Sequence, residues 1–178
     1  SVDLTGVRTV GGDLDERGLA EAMRAEEALH GAAVPLLVES GVRRTLAFCV
    51  DVAHAHDLAR VLNSYEPGVA CAIDGVMSLA EREARLSAYR TGRGRVLCNC
   101  ALLIEGFDDP PTSCIAMLRP TKSRGLYTQV VGRATRLSPE TGKADALVLD
   151  LTAGRAGKHA LVGPVDVLAG RDVRDDVR

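Results

Sequence analysis

Two arginines lie three residues apart in the segment QVVGRATRL, residues 129 to 137. Four residues of this segment are spaced at i, i+3, i+4 and i+7, which predicts that they share one stripe of a helix. They are Gln129, Gly132, Arg133 and Arg136. Guanidinium groups stay charged, so two of them on one face require anions. The anions could be carboxylates of the same chain or the phosphates of a nucleotide, where one arginine can accelerate phosphoryl transfer by about 10³–10⁵-fold. The segment alone favours neither.

A second group of chemically interesting residues lies in CNCALLIEGFDDPP, residues 98 to 111. Gly106 can adopt a positive φ angle and bring the backbone close to a ligand. Asp108 follows two residues later and supplies a fixed acceptor that suits a ribose hydroxyl. The alternative interpretation is an ordinary turn with a capping aspartate, and the stretch alone leaves both possible.

The alternation of apolar and polar segments predicts the elements that position these residues. Short apolar runs are predicted to be buried strands, at residues 45–50, 69–74, 95–100, 113–118 and 144–151. Helices are predicted at residues 13–40 (a lead-in with a break at 31–35), 51–63, 79–90 and 123–136. Ser78 and Glu81 have the spacing of a capping box before the third helix. Near-continuous apolar strands that alternate with helices favour a parallel sheet covered on both faces, which is an α/β fold.

Ligands of such sheets bind beyond the carboxyl ends of the strands. The unusual residues of this sequence fall at those positions. They are Asp51, the pair Asp74-Gly75, residues 99–108 and residues 119–124. The sequence therefore predicts a ligand-binding edge made from several loops.

The composition is that of a globular protein, with 178 residues, 46% apolar and 26% charged. No apolar run approaches the ~20 residues of a membrane span. The net charge of −2 does not suit a protein that binds nucleic acid with its whole surface, so any such contact is expected to be local or shared with another domain.

Five cysteines, an odd number without CxxC spacing, are predicted to be buried reduced thiols, and no metal site is predicted. Reduced thiols imply a reducing compartment, the cytoplasm or an organelle matrix. The four histidines, among them His54 and His56, are expected to be surface or capping residues.

The order of these segments resembles the C-terminal RecA-like domain of superfamily 2 (DEAD/DEAH-type) helicases. TLAFCVDVAHAHDLARVLN resembles helicase motif IV, ALLIEGFDDP resembles motif V, and QVVGRATR fits the motif VI pattern Q-x-x-G-R-x-x-R. RPTKSRGLYTQVVGRATRL, together with LIEGFDDP and LVLDLT, is closest to the RadD-like branch, whose members act in DNA repair. The resemblance implies a three-layer RecA-like domain with a mainly parallel central sheet flanked by helices.

The resemblance also implies roles for the residues that match these motifs. Arg136 would be the arginine finger at the γ-phosphate of ATP, with Arg133 as its companion. Gln129 would join the network that senses the nucleotide. Asp108 would hold the ribose, and Gly106 would support the turn.

A nucleic-acid track is implied along the loops at the strand ends. It would comprise Asp51, Gly75, Asn99, Cys100 and Lys122. Relatives often have threonine at the position of Cys100, and a thiol is a weaker donor, which weakens that assignment. Relatives often have histidine where Asp74 stands; a carboxylate would repel phosphate, so Asp74 is expected to point away from the track.

A helicase motor has two RecA-like domains, and the first supplies the phosphate loop G-x-x-x-x-G-K-[ST] and an acidic Mg²⁺ motif. Neither occurs here: Gly142-Lys143 is followed by Ala144, and Gly157-Lys158 by His159. ATP and Mg²⁺ are therefore expected to bind mainly to an N-terminal RecA-like domain of the same protein. The 178 residues alone are expected to bind ATP weakly and not to hydrolyse it.

Three segments are predicted: a helical lead-in (1–41), the RecA-like domain (42–151) and a C-terminal extension (152–178). The expected function is the C-terminal motor domain of an ATP-dependent helicase or translocase, with DNA favoured over RNA. The alternative is a non-catalytic helicase-like module that binds nucleic acid or protein. A small-molecule enzyme with a doubly wound sheet is disfavoured because no G-x-G-x-x-G turn follows the first strand.

Overall fold

The computed structural model describes residue 4, residues 6–100 and residues 107–152 of the chain. In that part the strands are β1 (Thr9–Val10), β2 (Asp13–Leu14), β3 (Thr45–Phe48), β4 (Ala70–Ile73), β5 (Val96–Asn99), β6 (Cys114–Met117) and β7 (Leu147–Asp150). The helices are α1 (Glu16–Arg24), α2 (Glu26–Ser40), α3 (Val52–Tyr65), α4 (Leu79–Arg90) and α5 (Arg124–Val131), with a 3₁₀ helix at Pro139–Thr141.

Strands β3 to β7 form one parallel sheet in the order β4-β5-β3-β6-β7. The central strand β3 pairs on one side with β5 and on the other with β6, so Thr45 lies between Val96 and Cys114. All five predicted strands are present, each shorter than the apolar run that predicted it. Because the strands are parallel, their carboxyl ends lie along one side of the sheet, which we call the carboxyl edge.

The sheet separates two hydrophobic cores, because successive side chains of a strand point to opposite faces. In β3, Ala47 belongs to the core formed with α1, α2 and α3, whereas Leu46 and Phe48 belong to the core formed with α4 and α5. Helices therefore cover both faces of the sheet, and the predicted three-layer α/β architecture is confirmed.

The predicted helical lead-in is wrong in detail, since it is a β-hairpin followed by two helices. Gly11 and Gly12 have φ angles of 60° and 88° and form the turn between β1 and β2, where two successive left-handed residues suit a tight hairpin. The break between helices falls at Ala25. Pro35 lies inside α2, which continues because one of its faces is buried in the core.

The capping box at the start of α4 is confirmed. The Ser78 hydroxyl accepts a hydrogen bond from the backbone N–H of Glu81, and the Glu81 carboxylate accepts one from the backbone N–H of Ser78. This cap fixes where α4 begins after the loop that contains Gly75. No helix in the described residues combines the length and the apolar character that crossing a bilayer requires.

Candidate functional site

The two arginines of QVVGRATRL lie beyond the end of α5. The helix ends at Val131, so the predicted helix over residues 123–136, and the shared helical stripe, are wrong. After Gly132 the backbone N–H groups of Arg133 and Ala134 bond to carbonyls three residues earlier, instead of four. The tighter turn buries Ala134 in the core and directs both guanidinium groups towards the segment that precedes β6. We call residues 132–138 the arginine turn.

The two guanidinium groups have different partners. Nη1 of Arg133 donates to the backbone carbonyl oxygen of Phe107 at 2.6 Å. Nη1 of Arg136 donates to Oδ1 of Asp108, and both side chains of this pair are largely exposed, at 45% and 59%. One arginine is therefore held by a backbone carbonyl and the other by a carboxylate at the surface. Gln129, on the last turn of α5, is exposed.

Asp108 is exposed because the residues on either side of it are anchored in the protein. The Phe107 ring is buried, lies 6.3 Å from the Tyr89 ring and carries the Arg90 guanidinium over its face. Asp109 is buried and accepts a hydrogen bond from the Thr112 hydroxyl at 2.9 Å. These anchors direct the intervening carboxylate outwards.

The hydroxyls of Tyr89 and Thr112 lie 2.7 Å apart, which extends the network around Asp109. Burial raises the pKa of Tyr89, so its hydroxyl stays protonated and able to donate. Gly106, the predicted support of this turn, lies outside the described residues.

A second group of predicted residues lies at the carboxyl edge, beneath the hairpin and α1. The Asp51 carboxylate accepts a hydrogen bond from the His54 backbone N–H at 2.6 Å and so caps α3. A cleft of about 510 Å³ separates this cap from α1. Nearby, Arg119 donates to the Val50 carbonyl at 3.3 Å and pairs with Glu16 at 2.6 Å.

The loop that carries Lys122 is fastened by a carboxylate of the hairpin. Oδ2 of Asp13 accepts a hydrogen bond from the Thr121 hydroxyl at 2.6 Å, and its Oδ1 accepts one from the Lys122 backbone N–H at 2.8 Å. Asp13 is placed for this by the two-glycine turn before it. We call Asp51, Arg119, Thr121 and Lys122, with the overlying Asp13 and Glu16, the covered edge.

Gly75 is exposed at the other end of the carboxyl edge, after β4. As expected, the neighbouring Asp74 turns inwards. Its Oδ1 accepts hydrogen bonds from the backbone N–H groups of Val76 and Met77, and its Oδ2 lies 2.8 Å from Nε2 of His56. The hydrogen bond from His56, followed by those from the two amides, lowers the pKa of Asp74. Gly75 is therefore exposed, while the Asp74 carboxylate beside it is engaged by the neighbouring amides and by His56.

Asn99 and Cys100 lie deeper in the protein than residues that contact a nucleic-acid backbone would have to lie. Asn99 is fully buried, and its Nδ2 donates to the Ala47 carbonyl at 3.1 Å. The Cys100 thiol is half-buried and donates to the Val50 carbonyl at 3.2 Å. All five cysteines are free thiols, and three of them, Cys49, Cys98 and Cys114, are buried. No cluster of three or more His, Cys, Asp or Glu side chains suited to a metal occurs in the described residues.

The predicted site residues thus fall into separate groups. Gln129, Arg133, Arg136 and Asp108 come together at the arginine turn, whereas Asp51 and Lys122 lie in the covered edge and Gly75 stands apart. Sequence reasoning missed Lys143, which contacts the arginine turn.

The prediction that His54 is a surface or capping residue is wrong. It is fully buried, with Nδ1 accepting from the Val50 backbone N–H at 3.2 Å. It lies four residues before Leu58 and eight before Leu62, a spacing that indicates a shared buried face of α3.

Comparison with known proteins agrees with this architecture. Residues 30–138 match the family described as helicase conserved C-terminal domain. The irc3 protein of Schizosaccharomyces pombe, named as a mitochondrial ATP-dependent helicase, is 36% identical over 140 residues, which are 77% of this chain and 22% of irc3. The EcoKI type I restriction enzyme endonuclease subunit of Escherichia coli is 32% identical over 122 residues, which are 62% of this chain and 10% of that subunit.

Solved structures share the fold at lower sequence identity. A fragment of an HsdR subunit of a type I restriction enzyme from Vibrio vulnificus superposes with a TM-score of 0.62 at 21% identity, covering 80% of this chain and 30% of that one. Dbp5 of S. cerevisiae, solved bound to RNA and ADP BeF3, superposes with a TM-score of 0.58 at 18% identity, covering 70% of this chain and 32% of that one.

Because the family match covers more than half of the chain, the chain belongs to the helicase conserved C-terminal domain family of superfamily 2 helicases. Its fold is the RecA-like α/β fold of those domains. The chain spans about a fifth of the length of the irc3 relatives that it matches.

Proposed function

We propose that this chain is the C-terminal motor domain of a nucleic-acid-dependent ATPase of the helicase or translocase type, closest to the RadD-like branch. Arg136 acts as the arginine finger at the γ-phosphate of ATP, and Arg133 acts as its companion. Asp108, with Gly106 beside it, holds the ribose. Gln129 lies on the adjoining helix and links the nucleotide to the two arginines.

The observation that carries this proposal is the state of the two guanidinium groups. Among the described residues, Arg136 is the one of the two that pairs with a carboxylate, and that pair is exposed, so water already competes with Asp108 for the guanidinium. A triphosphate carries more negative charge than one carboxylate and would displace it. Arg133, fixed on the Phe107 carbonyl, holds the turn while this exchange takes place.

The proposal requires a partner domain that presents the nucleotide, because this sequence contains no phosphate loop. That partner is an N-terminal RecA-like domain of the same protein, which would bind ATP and Mg²⁺. Closure of the two domains brings Arg136 to the γ-phosphate, and hydrolysis releases it. By itself the chain is proposed to bind ATP weakly and to release no phosphate.

The nucleic-acid track is proposed along the carboxyl edge, at Asp51, Gly75, Asn99, Cys100 and Lys122. The exposed Gly75 supports this, because the Asp74 carboxylate beside it is already engaged by two backbone amides and by His56. Asp51, Lys122 and the deeper Asn99 and Cys100 would require movement of the hairpin and α1. We favour DNA over RNA as the nucleic acid.

The test is Arg136→Ala in a protein that carries this chain together with its phosphate-loop domain. Nucleic-acid-stimulated ATP hydrolysis should fall by about 10³-fold or more, because an arginine finger contributes about 10³–10⁵ in rate. Nucleic-acid affinity should stay within about two-fold of the parent protein's, measured by fluorescence anisotropy, since Arg136 lies away from the track.

The matched control is Arg60→Ala, which removes another exposed arginine, one that pairs with Glu26 on the surface. This variant should hydrolyse ATP normally. If Arg136→Ala hydrolyses ATP normally as well, the chain is better described as a helicase-like module that binds nucleic acid or protein without catalysis.

A further inference from the structure

Lys143 occupies a position that the proposed motor function does not explain. It follows Gly142, whose φ angle of 68° ends the 3₁₀ helix at Pro139–Thr141 and reverses the chain. In sequence this Gly-Lys pair only resembles an incomplete phosphate loop. In the structure the lysine points back towards the arginine turn, away from any phosphate-loop arrangement.

The Lys143 ammonium group is surrounded by backbone carbonyl oxygens. Nζ donates to the carbonyls of Pro110 at 2.8 Å, Thr112 at 2.6 Å and Arg136 at 2.7 Å. An ammonium group has three N–H donors, so all of them are used. Removal from water lowers the pKa of Lys143, and the nearby Asp109 carboxylate acts in the opposite direction.

These three carbonyls belong to two segments of the proposed site. Pro110 and Thr112 continue the chain from Asp108, and Arg136 carries the proposed finger. The lysine therefore joins the backbone beneath the ribose-binding residue to the backbone of the finger. The Arg136 side chain is left exposed, and within the part of the chain that the structure describes it pairs with the surface carboxylate of Asp108.

We propose that Lys143 is a positioning residue for Arg136, fixing its backbone so that the guanidinium can exchange Asp108 for a phosphate without displacement of the turn. This inference rests on the proposed function of Arg136. A catalytic group must be held within about half an ångström of its productive position, and a 1 Å misplacement can cost about 100-fold in rate. Chain connectivity alone does not hold Arg136, because the helix ends five residues before it.

The test compares Lys143→Met, which keeps an unbranched side chain but removes the ammonium group, with Arg43→Met as a matched control. Arg43 binds Asp145 two residues after Lys143, at 2.5 Å and 3.2 Å, and these hydrogen bonds involve no residue of the arginine turn. Both variants are made in a protein that also carries the phosphate-loop domain. Lys143→Met should lower kcat for ATP hydrolysis about ten-fold or more, with KM and nucleic-acid affinity within about two-fold of the parent values.

A double variant separates positioning from a general loss of structure. Lys143→Met added to Arg136→Ala should cause no further loss of kcat, because there is no finger left to position. General destabilisation would lower activity in both backgrounds equally. Lys143→Arg, which keeps a cation with several N–H donors, should retain more activity than Lys143→Met, and it serves as the second variant if the methionine form does not fold.

The outcomes are distinguishable. If Arg136→Ala loses activity but Lys143→Met matches Arg43→Met, the positioning role is wrong and the proposed function stands. The positioning role is also wrong if the losses of Lys143→Met and Arg136→Ala multiply in the double variant. If Arg136→Ala keeps full activity, the proposed function and the positioning role are both overturned.

Discussion

The arginine turn and the covered edge both bring cationic or N–H donors to carboxylates, but they hold them differently. In the arginine turn Arg133 and Lys143 donate to backbone carbonyls, and Asp108, the carboxylate that pairs with Arg136, is exposed. In the covered edge the Asp13 carboxylate binds a buried hydroxyl and a backbone N–H of another segment. The arginine turn is held through its backbone, which leaves the Arg136 side chain able to change partner, whereas the covered edge is held through its side chains.

This difference indicates which region can exchange a ligand. Backbone contacts can persist while the Arg136 guanidinium changes partner, since they do not use that group. In the covered edge the side-chain contacts of Asp13 and Arg119 must break before the hairpin and α1 can move away from Lys122 and Asp51, which are partly exposed in this structure. Nucleotide exchange at the arginine turn should therefore cost little folding stability, and opening of the covered edge should cost more.

The largest expected effect concerns His54, which lies under the covered edge. Burial lowers its pKa from 6.5 to about 4, so the folded protein holds the imidazole neutral. The unfolding free energy therefore keeps its full value above pH 6.5. It decreases as the pH falls from 6.5 towards 4, because the unfolded chain binds a proton at His54 that the folded protein excludes. The shift corresponds to about 3 kcal/mol. His54→Asn keeps an acceptor for the Val50 N–H but cannot titrate.

Urea denaturation of both proteins between pH 7 and pH 4 gives the measurement. From pH 7 to pH 4 the parent should lose about 3 kcal/mol more unfolding free energy than His54→Asn, because only the parent has the titrating imidazole. Parallel curves would contradict a buried neutral histidine.

A smaller effect is expected from Asp13→Ala in the hairpin. This change leaves the buried Thr121 hydroxyl and the Lys122 backbone N–H without their acceptor, and should cost about 1–3 kcal/mol of unfolding free energy. Asp13→Asn keeps one acceptor oxygen and should lose less. Glu21→Ala, an exposed substitution on α1, is the control and should change stability by less than about 0.5 kcal/mol. Equal values for Asp13→Ala and Glu21→Ala would mean that the hairpin does not fasten the loop.

The sheet could be predicted from the sequence because its strands carry a strong local signal. A parallel strand buried on both faces reads as a continuous apolar run, as in residues 45–50 and 113–118. The carboxyl edge followed from the same signal, since the parallel strands all end there. The lead-in was harder to predict, because the Gly11-Gly12 pair that forms the hairpin turn is followed directly by residues with helical spacing.

The contacts of the site depend on tertiary structure, so local patterns could not supply them. The apolar spacing of Tyr127, Val130 and Ala134 continues beyond the end of α5, which hid the change from helix to turn. Gly132, which caps α5, was the available signal for a helix end. The role of Lys143 depends on carbonyls 7 to 33 residues away, which no local spacing reveals.

The smallest expected effect is the loss of unfolding free energy in Asp108→Ala. It gives the sharpest comparison, because the same substitution at the adjacent Asp109 should cost much more. Asp108→Ala removes the exposed partner of Arg136, and surface pairs contribute about 0–1 kcal/mol, so unfolding free energy should fall by less than about 0.5 kcal/mol. Asp109→Ala removes the buried acceptor of Thr112 and should cost about 2–3 kcal/mol. Both values come from urea denaturation of the 178-residue chain. A loss above 1 kcal/mol for Asp108→Ala would mean that the pair with Arg136 supports the fold, and that the guanidinium is not readily available to a phosphate.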